Sequence, residues 1–476
     1  VKDALKNVLD GIRGAVDYAD IRMVTTRSER LRVKNGSVDS ISDNTSRGVG
    51  IRVIVGGSWG FSSSSVVSEE EAAKVARQAV EIAKATRLLK RFDVVLSGEK
   101  PAVDAYRTKI VRNPFEVPLQ EKTRLLLEAD GILRRNPAVK VAEGSMHFYQ
   151  TDKIFLSTEG ADIDQTIIES GGGISATAVS DGDVQRRSFP TSWGDTATRG
   201  YEFIEGLHLV ENAEQTAEEA VALLGAEECP KGEMDLIIGG SQLALQIHES
   251  CGHPTELDRV FGTEASFAGT SFLTVEKMGN FKYGSEQVSI FQDATCPGGL
   301  GTFGYDDEGV PAQRTPVVER GRFVGYLTSR ETASRLNQTS NGCMRADGWN
   351  RIPLIRMTNI NLEPGTWTLD DLIADTKDGI LVDSNKSWSI DDKRLNFQFG
   401  TEMAWRIKNG KRAGVVKNAV YTGITPQFWA ACDAVCNRDH WHIWGIPNCG
   451  KGEPMQVAHV AHGAAPSRFR KVRVGV

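Results

Sequence analysis

A change from helical to alternating periodicity marks the beginning of the chain. Residues 1–20, VKDALKNVLDGIRGAVDYAD, read as a short amphipathic helix, interrupted by charge too often for a secretory signal. Ala19 to Arg27 and Leu31 to Asn35 then read as strands. So does Ser46 to Val55, which turns at Gly56-Gly57 into Ser58-Trp59-Gly60-Phe61 as a hairpin. Ser68 with Glu71 forms a capping box ahead of a helix from Glu69 to about Lys90. Its Val75, Ala76, Ala79, Val80 and Ala83 make an apolar stripe of helical period. This first region carries no candidate chemistry and is expected to act as scaffold.

Residues 91–118 contain Pro101, Pro114 and Pro118 and read as a linker. A helix follows from about Pro118 to Arg135 and stops before Asn136-Pro137. Four strands come next: Val139 to Tyr149, Lys153 to Thr158, Asp162 to Glu169, and Ile174 to Val179. Gly171-Gly172-Gly173 between the last two is no phosphate loop, since no helix with Lys-Ser/Thr follows it. Glu211 to Leu224 reads as a helix, and Met234 to Ile238 as a buried strand that opens the third region. From there short strands, loops and a few helices alternate. They include strands Thr315 to Glu319 and Arg322 to Thr328, a helix near Glu331 to Leu336, and an Asn-Gly hairpin at Arg406 to Lys411. The predicted fold is α/β to α+β and multidomain. A small sheet-and-helix N-terminal domain spans 1–95, a mixed middle domain 115–226, and a strand-rich C-terminal domain 230–476 carries the metal site.

Composition narrows the function classes. A chain of 476 residues exceeds one ordinary core. A net charge of −6 and a pI near 5.9 argue against a nucleic-acid binder. Seven cysteines without a Cys-x-x-Cys pair read as reduced, which points to the cytoplasm. No apolar run approaches the roughly 20 residues that span a bilayer, so no membrane partner is expected.

The candidate chemistry lies directly behind the Met234 strand. Leu243 to Asp258, LALQIHESCGHPTELD, holds His248, Glu249 and His253 as His-Glu-x-x-x-His. Two imidazoles beside a carboxylate fit a metal that activates water, with Glu249 as general base. In a regular helix, residues five apart diverge by about 140°, so His248 and His253 would not share a metal. Gly252 with Pro254 could end the helix and let His253 fold back, or a π-type widening could achieve the same. The third ligand stays open among Cys251, Glu256, Asp258, the His440/His442 pair and Cys449. Cys449 lies in a glycine-flanked turn where Lys451 could help hold a thiolate. His440 and His442, in the Trp-rich segment 439–444, fit a half-exposed strand, and His459 and His462 read as ordinary residues. Cys432 and Cys436, four apart, could bind a metal, but a buried helix face explains them as well. Gly299, Gly301, Asp306, Asp307 and Glu308 read either as a mobile cleft wall or as a solvated surface loop.

The chain resembles the TldD branch of the TldD/PmbA (TldD/TldE) metalloprotease family. The resemblance is carried by Gly48 to Val55, Trp59-Gly60-Phe61, Ser68-Glu69-Glu70, His248 to His253, Tyr305 to Gly309, Arg356 to Asn359 and Asn448 to Lys451. It is carried least by Val382 to Pro447. It implies a metalloprotease acting on peptides and unfolded proteins, its zinc (or iron) held by His248, His253 and Cys449, with Glu249 catalytic. Two neutral imidazoles and a thiolate would leave a divalent site at net +1. The resemblance further implies peptide bound through its backbone as an added strand, and a dimer with itself or with a PmbA/TldE-like paralogue. Two other readings are weighed against it. One is a non-catalytic peptide- or protein-binding subunit with a gyrase-modulator role; the other is a cysteine peptidase using Cys251.

Overall fold

The computed structural model describes residues 1–475, and its N-terminal half is organised around one long strand. That strand, β1 (Tyr18–Lys34), lies between β2 (Ser37–Val55) and β5 (Val139–Ser157), antiparallel to both. β2 carries β3 (Ser58–Ser64) at one edge. β5 pairs with β6 (Asp162–Ser180), along which run β4 (Val103–Arg107), β7 (Asp183–Phe189) and β8 (Asp195–Ala197). Only β4 is parallel to its neighbour.

β1 continues through Ser28-Glu29-Arg30, where the sequence predicts a break. Both its edges are paired there: Glu29 lies opposite Asp43 on one side and Phe148 on the other. β5 and β6 each fuse two predicted strands in the same way. The three glycines sit inside β6, where a Cβ on Gly173 would stand 2.5 Å from the Gly194 Cα. They let the turn before β8 lie against the strand.

Helices Lys2–Ile12 and Glu69–Thr86 bury Leu5, Leu9, Val75 and Ala79 with Ile21, Val49, Ile51 and Val53 of the sheet. The Ser68 hydroxyl accepts from the Glu71 amide as the motif requires, but the helix ends at Thr86, short of Lys90. Helices Leu119–Leu133 and Ala213–Leu224 bury Leu126, Leu133, Ala217 and Ala220 with Phe148, Ile174 and Ala176.

The C-terminal part is built on a second eight-stranded sheet. Its strands run Asp378–Ile390, Gly232–Ile238, Ser467–Val474, Val420–Ile424 and Asn396–Lys408, then Lys411–Lys417 and Glu227–Glu228, with Cys432–Val435 as the eighth beside Ser467–Val474. Asp378–Ile390 also pairs with Asn396–Lys408, so five of these strands close into a ring. Leu236, Phe399, Tyr421, Phe428, Trp429 and Phe469 belong to the core beside it. The Asn409-Gly410 turn has both residues at positive φ, 50° and 74°, as an Asn-Gly hairpin demands.

Two expectations are corrected here. The predicted strand Arg322–Thr328 is paired in its sheet only at Arg322–Phe323, because the chain then leaves to bridge Leu327 to Glu256. Cys432 lies in strand Cys432–Val435 with Cys436 just after it, not on the helix, which is Thr425–Ala430. No helix among the described residues is long and apolar enough to cross a membrane.

Candidate metal centre

Strand Gly232–Ile238 delivers the chain through Gly239 into the short buried helix Gly240–Ile247. From His248 to Gly252 that helix widens into a π-turn, and the His253 amide donates to the His248 carbonyl five residues back. The widening removes the divergence a regular helix would impose, and the two rings meet edge to face with centroids 4.8 Å apart. The helical path is not broken between them. Gly252 (φ −68°, ψ −70°) and His253 (φ −57°, ψ −41°) are both right-handed, contrary to the expected roles of Gly252 and Pro254. Pro254 is tolerated because it opens a 3₁₀ turn, where its missing N–H costs little. Gly252 is needed for space: a Cβ there would lie 2.0 Å from the Met357 Sδ.

His248, His253 and Cys449 each aim one donor atom at a common point, with all donors within 4.8 Å of one another and all three residues buried. Cys449 Sγ is 3.6 Å from His253 Nε2. Zinc bonds of about 2.0 Å to nitrogen and about 2.3 Å to sulfur, at a tetrahedral angle, separate the two donors by about 3.5 Å. The His253–Cys449 pair therefore matches the spacing of a tetrahedral zinc-type site, with His248 as the third donor of the group. Cys449 is presented from strand His442–Lys451, at the register shift between Ile446 and Cys449, and not from a free turn. Arg356 donates to the Cys449 carbonyl and fixes that irregularity.

Protonation states suit a metal as well. Burial lowers His248 to about 4 and His253 well below its ordinary value, so both imidazoles are neutral near pH 7. Burial would raise the Cys449 thiol, but the His253 ring when it carries a proton, and the charge of Arg356, pull it below its usual range. Lys451 is not the agent. Its Nζ donates to both Asp258 oxygens at 2.7 and 2.9 Å and to the Ile355 carbonyl at 2.7 Å.

Residues 231–475 match the PmbA/TldA metallopeptidase C-terminal domain, 19–83 match domain 1 of that family, and 112–224 match its central domain. The chain belongs to the PmbA/TldD metallopeptidase family. A metalloprotease of Methanocaldococcus jannaschii is 32% identical over 423 residues, covering 88% of this chain and 89% of its own length. One from Methanothermobacter thermautotrophicus is 30% identical, covering 99% of this chain and 98% of its own. A zinc metalloprotease TldD homolog of Saccharolobus solfataricus is 22% identical over 96% of each chain. TldE of Thermococcus kodakarensis shares the fold, with a TM-score of 0.76 at 18% identity over 99% of this chain and 100% of that one.

In this member of the PmbA/TldD family, His462 and Arg394 join the site although the sequence reading passed them over. His462 Nδ1 donates to the Ile360 carbonyl at 3.1 Å, which leaves its Nε2 to accept from His248 Nδ1 at 2.8 Å. His253 Nδ1 faces Glu256 Oε2 at 3.0 Å. Each metal-facing imidazole is thus fixed in the tautomer with a free Nε2. Arg394, from the turn before strand Asn396–Lys408, donates to Glu249 Oε2 at 2.6 Å. Pairing Trp444 with His462 across the hairpin would have flagged His462 to a reader who joined the two strands. No local pattern marks Arg394.

The remaining candidates fall elsewhere. Glu256 and Asp258 support His253 and Lys451 from behind. Cys251 Sγ contacts the Tyr283 hydroxyl at 2.7 Å, and burial pushes its thiol up to about 12, which leaves it unsuited to nucleophilic attack. His440 accepts from the Leu369 amide, and His442 pairs with Asp195 at 2.9 Å. Asp306, Asp307 and Glu308 are buried, not solvated. Asp306 and Asp307 line a cavity between the first sheet and the C-terminal part, while Gly299 and Gly301 pack against Asn359 and Thr358.

Proposed function

We propose that this chain hydrolyses peptide bonds in peptides and unfolded polypeptides, using zinc held by His248, His253 and Cys449 and Glu249 as general base. The observation that carries the reading is the convergence of three buried metal-type donors beside the carboxylate next in sequence to one of them. The metal, when bound, supplies a Lewis acid that acidifies water and polarises the scissile carbonyl. The protein's own part is positional. Arg394 holds Glu249 Oε2, which leaves Oε1 to accept a proton from the attacking water and return it to the amide nitrogen as the C–N bond breaks. The two neutral imidazoles need lose no proton to bind, and the lowered thiol gives up its proton more readily than a free one.

Zinc is favoured over iron by the mixed nitrogen–sulfur donor set and by the zinc-protease relative. Membership of the family is the ground for proposing a dimer, either of this chain with itself or with a TldE-like paralogue. Glu249→Gln in metal-replete protein is expected to abolish hydrolysis of an unfolded protein substrate while metal content, read by elemental analysis, stays at wild type. Full activity in that variant overturns the reading. Absence of bound metal together with chelator-resistant peptide binding would favour a binding subunit instead.

A further inference from the structure

A cavity of about 620 Å³ lies between one face of the first sheet and the C-terminal part, behind the hairpin that carries Cys449. That hairpin divides two environments. Cys449 and His462 reach the donor cluster, whereas Asn448, Val457 and His459 line the cavity.

The charges around the cavity do not balance. Lys153 and Arg22 share one carboxylate, Asp307, at 2.5 and 3.9 Å. Glu169 is taken by His459 at 2.5 Å, and Asp347 accepts from the Val457 amide. Asp306 spends its oxygens on the amides of Glu308, Val310 and Met344. Arg345 and Arg356 have no carboxylate partner among the described residues. Arg345 Nη1 serves the carbonyls of Met357 and His459, and its remaining nitrogens are without protein acceptors among those residues. Arg356 holds the carbonyls of Gln456 and Cys449, and its Nε, like that of Arg22, is buried without a partner. Burial also weighs against the charge on Arg22 and Arg345, holding both below the ordinary guanidinium value. The acceptor-free nitrogens of Arg345 are open to the cavity, and an arriving oxyanion would pair with them beside the buried charge of Arg356. Val24, Ile167, Phe303 and Trp349 give the wall apolar stretches between polar ones such as Thr26, Arg30, Thr151 and Asn448.

We propose that this cavity binds the free C-terminal carboxylate of a short peptide, with Arg345 and Arg356 facing the carboxylate and the apolar stretches of the wall its side chains. The anion site stands on the cavity alone. The choice of a peptide rests on the hydrolysis proposed above, because each cleavage leaves one fragment with a newly formed carboxylate. Arg356 links the two environments, since the group that faces the anion also holds the Cys449 carbonyl.

The test uses full-length, metal-free Glu249→Gln protein and calorimetric titration with acetyl-Ala-Ala-Phe as the free acid and as the C-terminal amide. The free acid is expected to bind at least tenfold more tightly than the amide. Arg345→Gln is expected to erase that difference, Arg345→Lys to retain part of it, and His253→Ala to leave it intact. Should Arg345→Gln fail to fold, the lysine variant carries the comparison. Equal binding of acid and amide, an undiminished preference in both Arg345 variants, or its loss in His253→Ala overturns the proposal. Inorganic phosphate binding more tightly than the free acid overturns it as well. Intact acid-selective binding in a protein whose metal-replete wild type cleaves nothing would remove the peptidase reading and leave the carboxylate site standing.

Discussion

His248 Nδ1 lies 2.8 Å from His462 Nε2, and His462 is in turn anchored on the Ile360 carbonyl. This chain of two hydrogen bonds sets the tautomer of a metal-facing imidazole on the π-turn from strand Gln456–Ala464. Groups that orient ligands from behind typically change metal affinity by about 10- to 100-fold when removed. His462→Phe is therefore expected to weaken zinc binding by about that factor, read by competition with a chromogenic chelator, with the fold retained.

On the proposed hydrolysis, Arg394 positions Glu249 through its hydrogen bond to Oε2. Without it the carboxylate loses its anchor but not its chemistry, so the loss should fall on turnover. Arg394→Gln is expected to lower kcat about 10- to 100-fold, on the scale of a misplaced catalytic group, with a smaller change in KM. Arg394→Lys should recover part of the loss, and metal content should match wild type in both. A KM effect alone would assign Arg394 to substrate contact instead.

Acid should destabilise the metal-free protein. An unfolded imidazole takes up a proton below about pH 6.5, whereas folded His248 does so only near pH 4. Between those values the unfolded state binds more protons, so stability falls as pH drops through the window. The shift bounds the His248 contribution at about 3 kcal/mol. Urea unfolding at pH 7 and pH 4.5 should show the loss, and His248→Gln should reduce it, His253 and His462 keeping their share.

Gly252 has no room for a methyl group, since a Cβ would meet the Met357 Sδ at 2.0 Å. Gly252→Ala is expected to cost about 1–3 kcal/mol through overpacking. Met357→Ala should recover much of that loss in the double variant, because the two positions touch. Additive losses would show that the strain lies in the backbone.

Local pattern reached as far as chemistry is local. The buried Met234–Ile238 strand, the helix behind it and the His-Glu pair were legible because they lie in one stretch. The five-residue spacing raised the right geometric question, and the π-turn at His248–Gly252 is one of the two answers it allowed. Cys449 came from resemblance, since it sits 196 residues from His253 and alternation gives it no distinction. His462 and Arg394 are likewise joined to the site only by long-range pairing. The lengths of β1 and β2 were hidden for a different reason. Alternation marks a strand with one buried face, whereas Ser37 to Arg47 in β2 is largely exposed and leaves no such trace.

The position of β1 between β2 and β5 bears on how the chain is made. Its first neighbour follows at once, but its second lies more than 100 residues downstream, as the contact of Arg32 with Glu143 across 111 positions shows. A growing chain therefore emerges with a long strand open along one side, and closure must wait for β5. Pairing of that range is slow to form and exposed to wrong partners while it waits. A chain truncated before Val139 is accordingly expected to associate or aggregate, while one extended past Ser180 should remain dispersed.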